Sequence, residues 1–336
     1  MRPSPSRARW SGFSLIELMI ALLIGTLVVA AASGLFLSSK RTYATTETLS
    51  RIQENSRVAF ELMAREIREA GGSACGNDLE IVNVLRNRGA DWWTDLNGGL
   101  RGWENGALAG SLAGTDAIDM VSGSQGGVDA RTDGSSATSA NFDTRPLAHG
   151  FADGEILVVC DNQSAAIFQV SVNNPTTGRL VRNAGSGTPG NCSTRLGTPQ
   201  SPACSVSAGV ARAWLPPTVV TRLSPTRWFV GANARGGTSL FRQTIQVSGA
   251  GVVSVGAAEE IVEGVTDMEL TYLEAGGNSY ALASAAVDWE DVVSVEIELT
   301  FAGVAGAQLG REIRGTDGAV LDRAFSHRVN LRNRTL

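Results

Sequence analysis

The residues Gly-Phe-Ser-Leu-Ile-Glu, numbered 12 to 17, begin an apolar run that ends at Leu37. Glu17 is the only charged residue between Phe13 and Leu37. The 25 residues of this run are enough to cross a bilayer, which needs about 20 in a helix. A charge at bilayer depth costs at least about 2.5 kcal/mol, so such an acid is normally kept because something pairs with it. The stretch therefore predicts a membrane-spanning helix whose single acid meets a cationic partner.

The segment before this run is basic. Met1 to Gly12 carries Arg2, Arg7 and Arg9 and no acidic residue. Because basic residues that flank a membrane span stay in the cytoplasm, the rest of the chain is predicted to face the opposite side. We therefore expect a single-pass protein, anchored in the lipid bilayer, with its bulk on the side opposite the cytoplasm.

Three other interpretations of the N-terminus compete. An ordinary secretory signal would use Ala30-Ala31-Ala32-Ser33 as its small-residue cleavage site, but it would place Glu17 in its apolar core, where a charge weakens targeting. A plain single-pass anchor leaves Glu17 unexplained. The third is chance, because short motifs also match at random.

Composition limits the class of protein. The chain has 336 residues, room for one to three domains, and 43% of them are hydrophobic, which is enough to build a core. Its formal net charge is −5. Removing residues 1–12 takes away three arginines and leaves 25 basic and 33 acidic residues, a net charge near −8. This modest acidity gives no reason to expect nucleic-acid binding.

Four cysteines lie beyond the apolar run: Cys75, Cys160, Cys192 and Cys204. In an oxidising compartment an even number indicates disulfides, and three pairings are possible. The simplest joins Cys192 to Cys204 across a Pro/Gly-rich loop, which leaves Cys75 for Cys160; each closure is worth roughly 3–4 kcal/mol. We expect no metal site, because the chain has no Cys-x-x-Cys pair and two histidines.

The apolar run continues into an amphipathic segment. A helix is predicted from Phe13 to Ala70, with Gly71-Gly72 as a strong stop. Apolar residues recur at three-, four- and seven-residue steps along its second half and form one stripe, while the opposite face is charged. The stripe comprises Ile52, Ala59, Met63, Ile67 and Ala70.

Beyond the helix the pattern favours strands. Residues 122–141 are rich in Ser, Gly, Thr and Asp and predict a long exposed loop, and residues 192–217 predict an irregular insertion. Alternating residues in Val292 to Phe301 predict a half-buried strand of an antiparallel sheet with one face against the helix. The fold class is thus predicted to be α+β. Predicted strands are Ala117–Val121, Ile156–Cys160, Ala166–Val172, Val219–Leu223, Arg227–Val230, Ser239–Val247, Val252–Val255, Thr266–Leu273, Val292–Phe301 and Phe325–Leu331.

Enzyme chemistry has little support in the sequence. His149 and His327 have no nucleophile signature nearby, and no Gly-x-Ser-x-Gly, phosphate loop or dinucleotide fingerprint occurs. We expect a protein that is not an enzyme and that needs no cofactor. Trp92, Trp93 and Trp103 are expected to pack locally, which is commoner than a ligand platform.

The start of the chain resembles the processing site of the type IV prepilin superfamily. Within that superfamily the chain is most similar to the PilW family of minor pilins. Three places carry the resemblance: Gly12 to Leu18, Glu260 to Tyr272, and Val292 to Leu299 together with Phe325 to Arg334. The first is specific for the superfamily, and the other two select the subfamily.

The resemblance implies a role in pilus assembly. A prepilin peptidase and methyltransferase would cut after Gly12 and methylate the new amine of Phe13, and Glu17 would pair with that amine on a neighbouring subunit. The partners would be other minor pilins, the major pilin and the inner-membrane assembly platform, in a complex that primes a type IV pilus. A GspJ-like minor pseudopilin of type II secretion and a pilus-tip adhesin are the alternatives.

The same resemblance implies a protein of the bacterial inner membrane with its bulk in the periplasm, and it divides the chain into four segments. Residues 1–12 would be the basic leader, 13–37 the transmembrane half of the helix, 38–72 its amphipathic periplasmic half, and 73–336 a β-rich globular domain.

Overall fold

The fold is described from a computed structural model of the chain. By their internal contacts the residues divide into two compact units, Met1–Arg51 and Ile52–Leu336. The structure describes residues 12–76, 79–86, 88–94, 98–123, 130–284, 287–303 and 321–334.

One helix, α1, runs from Leu15 to Glu69, so the prediction of a helix over 13–70 is confirmed to within two residues. In the first unit, the large apolar side chains between Phe13 and Leu37 are all exposed. This part of α1 is long and apolar enough to cross a membrane, and none of its most apolar window is buried. Exposed apolar surface on this scale requires an apolar environment.

The helix ends where glycine permits a left-handed turn. Gly71 has a φ of 68°, a conformation that costs glycine little and other residues much more. Its amide donates to the carbonyl of Val121 at 2.9 Å, and the Gly72 amide donates to Glu69 at 3.0 Å. These bonds satisfy groups that a helix end leaves open, as the predicted stop requires.

The second unit is built from strands. A short 3-10 helix at Trp92–Thr94 lies between the first two strands. The strands in the described part of the chain are β1 (Glu80–Asn83), β2 (Leu100–Trp103), β3 (Ala117–Ser122), β4 (Ala130–Gly134), β5 (Asn141–Arg145), β6 (Ile156–Cys160), β7 (Ser164–Gln169), β8 (Val172–Asn174), β9 (Arg179–Val181), β10 (Thr218–Arg222), β11 (Ser224–Ala232), β12 (Thr238–Val247), β13 (Val253–Val255), β14 (Glu259–Glu263), β15 (Val265–Glu274), β16 (Val292–Ala302) and β17 (Asp322–Asn330).

These strands form three sheets. The orders are β1-β7-β6-β10-β4-β5-β9-β8, then β13-β12-β11-β3-β2 with β14 also on β12, and β15-β16-β17. The pairs within them are antiparallel except β1 with β7. The α+β class, a long apolar helix followed by an antiparallel-rich β domain, is therefore confirmed.

Two sequence predictions need correction. The exposed loop expected over residues 122–141 contains β4, which lies between β10 and β5 with Ala130 and Thr132 buried; residues 124–129 lie outside the described residues. The buried side chains of this strand are small or carry a hydroxyl group, so they form no hydrophobic pattern in the sequence. The single strand expected over 166–172 is two, because β7 ends at Gln169 and β8 begins at Val172.

The predicted stripe of α1 faces the core of the second unit. Its five residues are all buried, with exposures of 4% or less, and they share one cluster with Trp228 of β11 and with β16. Val295, Ile297 and Leu299 alternate along β16 and are fully buried, as the period-two pattern predicts. Burial of apolar area at roughly 25 cal/mol per Å² is what holds this half of α1 on the sheets.

An acidic residue joins this apolar contact. Glu66 is 2% exposed. Its Oε2 accepts a hydrogen bond from Trp228 Nε1 at 2.6 Å, and its Oε1 lies 2.7 Å from Arg242 Nη2. Because β11 and β12 supply the two partners, the carboxylate fixes the rotation of α1 against that sheet.

Two disulfides staple the second unit. Cys75, just after α1, is bonded to Cys160 at the end of β6, and Cys192 is bonded to Cys204 within the irregular insertion. Their sequence separations are 85 and 12 residues. The first ties the segment after the helix to the eight-stranded sheet, and the second closes a surface loop.

Removing the long-range disulfide should cost more stability than removing the local one. In the chain-entropy model the loss is about 4–5 kcal/mol for Cys75→Ala with Cys160→Ala and about 3 kcal/mol for Cys192→Ala with Cys204→Ala. Urea unfolding of the detergent-solubilised full-length chain, followed by circular dichroism, measures both. Equal losses in the two double variants, or peptide mapping that finds another pairing, would contradict this expectation.

Candidate processing and assembly site

The peptide bond between Gly12 and Phe13 lies in open, non-helical chain. Gly12 and Phe13 precede the first helical residue, Leu15, and Phe13 is 90% exposed. Apart from its chain neighbours, no atom of the described residues lies within 4 Å of the position that a Cβ on Gly12 would occupy. Proteases act on extended backbone, so this bond is accessible without unwinding α1.

Ser14 and Glu17 form a reciprocal cap at the start of α1. The Glu17 amide donates to Ser14 Oγ at 3.2 Å, and the Ser14 amide donates to Glu17 Oε2 at 3.0 Å. This is a capping box, in which the N-cap hydroxyl and the acid at the third helical position each satisfy a backbone donor. The Ser-x-x-Glu pattern of residues 14–17 is a sequence signal for this cap, so Glu17 has a local partner in addition to the predicted cationic one.

The cap leaves the carboxylate able to bind a cation. One hydrogen bond occupies Glu17 Oε2, and a carboxylate offers about four acceptor positions. The N-terminal end of a helix also stabilises negative charge. The Glu17 carboxylate is thus oriented toward the start of α1, four residues after Phe13, the residue whose amine cleavage would free.

One side of the exposed apolar helix has a shallow groove of about 530 Å³. Ala21 and Gly25, four residues apart, lie in it beside Leu18, Leu22 and Val29. Small residues at this spacing let the backbone of a second helix approach closely in lipid. The surface beyond the cap is therefore shaped for helix–helix packing.

The remaining sequence candidates do not assemble into a catalytic or metal site. His149 is buried and its Nδ1 accepts from the Phe151 amide at 3.1 Å, while His327 is exposed with its ring 5.6 Å from that of Phe60. Among the described residues, no group of three or more His, Cys, Asp or Glu side chains is placed to hold a metal ion. Trp93 is a core residue, as expected, but Trp92 and Trp103 are only partly buried.

Comparison with known proteins finds a family motif in the N-terminal segment. Residues 11–33 match the family model described as the prokaryotic N-terminal methylation motif. Among curated proteins and solved structures, none matches the chain. The motif implies processing by a prepilin peptidase and assembly with other pilins, and it suggests a structural, non-enzymatic protein. Together with the exposed apolar helix it fits anchoring in the inner membrane, and it supports a type IV pilin-like protein.

Proposed function

We propose that this chain is a minor pilin of the PilW kind, which primes assembly of a type IV pilus from the inner membrane. Residues 1–12 are the leader, 13–37 lie in the membrane, and the chain from 38 onward lies in the periplasm. The observation that carries the proposal is the open Gly12–Phe13 bond directly before a capped acid, within a matched methylation motif.

Cleavage supplies the cation that the acid lacks. Hydrolysis after Gly12 turns the amide nitrogen of Phe13 into a positively charged amine, which is then methylated. In the membrane this amine and a neighbour's Glu17 each carry a desolvation cost that falls when they pair. Because Phe13 and Glu17 are four residues apart, they meet when two helices are offset by roughly one turn, about 6 Å. The pairing therefore selects one axial register between subunits.

Removing the Glu17 charge should block assembly and spare cleavage. Glu17→Ala removes both the charge and the cap, whereas Glu17→Gln removes the charge and keeps the cap, because Gln also serves at this position. We expect both variants to reach the processed size and to lower incorporation into sheared pili by about tenfold or more, in line with an uncompensated charge worth at least about 1.4 kcal/mol. Immunoblots of membranes and of sheared pili measure the two steps.

Thr42→Ala is the matched control, because Thr42 lies on the same helix outside the groove and its hydroxyl donates to the carbonyl of Ser38 in its own helix. It should assemble normally. Normal incorporation of Glu17→Gln beside failure of Glu17→Ala would show that the cap, and not the charge, is what assembly needs.

A GspJ-like minor pseudopilin would share this N-terminus. Its ectodomain is generally shorter than the one found here, which favours the pilus. A deletion strain separates the two functions: loss of surface pili with normal protein secretion supports the proposal, and loss of secretion with normal pili overturns it.

A further inference from the structure

A cleft of about 450 Å³ opens in the second unit, away from the processed N-terminus in sequence. Trp92, Trp103 and Trp289 line it, together with Arg101 and Arg227. Ligand sites in proteins commonly enclose about 300–1,000 Å³ and combine aromatic walls with a few fixed polar groups. We call it the tryptophan cleft.

A buried carboxylate fixes one wall of the tryptophan cleft. Asp119, on β3, is 3% exposed. It accepts a hydrogen bond from Trp103 Nε1 at 2.8 Å and one from Arg227 Nη2 at 2.7 Å. The Arg227 guanidinium in turn lies 4.5 Å from the ring centroid of Trp92. Two rings and one guanidinium are thus held in place before any ligand arrives, which reduces the entropy lost on binding.

The opposite wall is also fixed. Trp289 packs edge-on against the fully buried Tyr272, with ring centroids 5.0 Å apart. Arg334 donates to the carbonyls of Trp289 and of Gly98, both of which line the tryptophan cleft. Burial lowers the pKa of Arg334, and the negative charges of Glu290, Asp291 and Asp288 act in the opposite direction. Arg334 therefore positions the wall of the tryptophan cleft that contains Trp289.

The charges and hydrogen-bonding groups of the tryptophan cleft indicate which kind of ligand it binds. The lining carries Arg101 and Arg227 against Asp91 and Asp119, so its formal charges cancel and favour a neutral ligand. Arg101, which is exposed, adds guanidinium donors to this lining, so a purely apolar ligand would leave polar groups of the tryptophan cleft without partners. The ligand needs flat apolar faces for the rings and hydroxyl groups for the donors.

We propose that the tryptophan cleft binds a neutral carbohydrate. A sugar ring presents C–H groups on its faces, which pack on indole rings whose faces are electron-rich, and hydroxyls at its rim. Those hydroxyls accept from the guanidinium of Arg101, whose Cζ atom lies 4.3 Å from the ring centroid of Trp103. Sugar binding at this place is separate from the assembly role, so either proposal can fail alone.

Tryptophan fluorescence tests the proposal on the full-length chain in detergent. Three of the seven tryptophans line the tryptophan cleft, so a bound ligand should change the emission. The probes are maltose, cellobiose, lactose and diacetylchitobiose, followed by a printed array of neutral glycans. We expect a saturable change with at least one of them, with a Kd of about 1 mM or tighter. No saturable binding to any neutral glycan, or binding to acidic glycans alone, would overturn the proposal.

Two variants locate the site. Trp103→Ala and Arg101→Ala should each weaken the Kd by about tenfold, as loss of a ring face or a stacked donor predicts. Arg101 is exposed, so its variant keeps the fold even if Trp103→Ala does not. The control is Arg328→Ala, because Arg328 stacks on Tyr280 at 5.0 Å outside the tryptophan cleft. If Arg328→Ala weakened glycan binding as much as the cleft variants do, or if Arg101→Ala did not weaken it, glycans would bind outside the tryptophan cleft. Either result would contradict the proposal.

Discussion

Gly12→Ala is expected to leave the leader attached to the chain. The bond after Gly12 lies in exposed, non-helical backbone, and a Cβ there would meet no atom within 4 Å among the described residues beyond its chain neighbours. The variant should therefore fold normally, and its added methyl group acts only where a peptidase must approach the backbone closely. We expect the processed fraction to fall by at least about tenfold, equivalent to roughly 1.4 kcal/mol of lost transition-state binding. An immunoblot that resolves precursor from mature protein measures it.

Ser11→Ala serves as the control, because it removes a hydroxyl next to the same bond and leaves Gly12 in place. It should be processed as the natural chain is. If Gly12→Ala reached the processed size at a normal rate, cleavage would lie elsewhere, and a product beginning at Ser33 would identify an ordinary secretory signal.

Glu66→Ala is expected to lower the free energy of unfolding by about 3–5 kcal/mol, the usual cost of removing one partner of a buried ion pair. Glu66 is 2% exposed, and its loss leaves Arg242 without its carboxylate and the buried Trp228 Nε1 without its acceptor. The stripe of α1 would also lose the bond that fixes its rotation on β11 and β12. Urea unfolding of the full-length chain in detergent measures the change.

Two further variants show which bond matters. Glu66→Gln keeps an acceptor for Trp228 and removes the charge, so its loss should be smaller than that of Glu66→Ala. Glu61→Ala changes an exposed acid on the same helix and should stay within about 0.5 kcal/mol. A Glu66→Ala chain as stable as the Glu61→Ala chain would show that the buried contact contributes nothing.

The helix was predictable because its signals are local. The stripe spacing, the Gly71-Gly72 stop and the absence of proline over 13–70 are all read within one segment, and α1 ends one residue before the predicted end. Glu66 was missed for a physical reason. It lies three residues after Met63 and four before Ala70, on the buried face, but its charge argues for solvent until partners from distant strands are known.

The strands were predictable where large buried side chains alternate with less buried ones, as in β16. They were not predictable where the buried side chains are small. Ala130 and Thr132 of β4 gave no period-two hydrophobic signal, and the number of sheets depends on pairings across many residues. The tryptophan cleft is the extreme case. Trp92 lies on the 3-10 helix, Trp103 on β2 and Trp289 in the loop before β16, so no local sequence pattern predicts the cleft.

The proposed processing site stays a prediction that the sequence alone could make, because Gly12, Phe13 and Glu17 lie within one stretch of six residues. The missing part was the role of Ser14, whose hydroxyl and amide complete the cap. Because of this cap, the Glu17 carboxylate is already oriented toward the start of α1 before cleavage.

Mass spectrometry of the N-terminal peptide from native membranes tests the central claim most directly. We expect the chain to begin with N-methylated Phe13. A chain that still carries residues 1–12, or one that begins near Ser33, would contradict it.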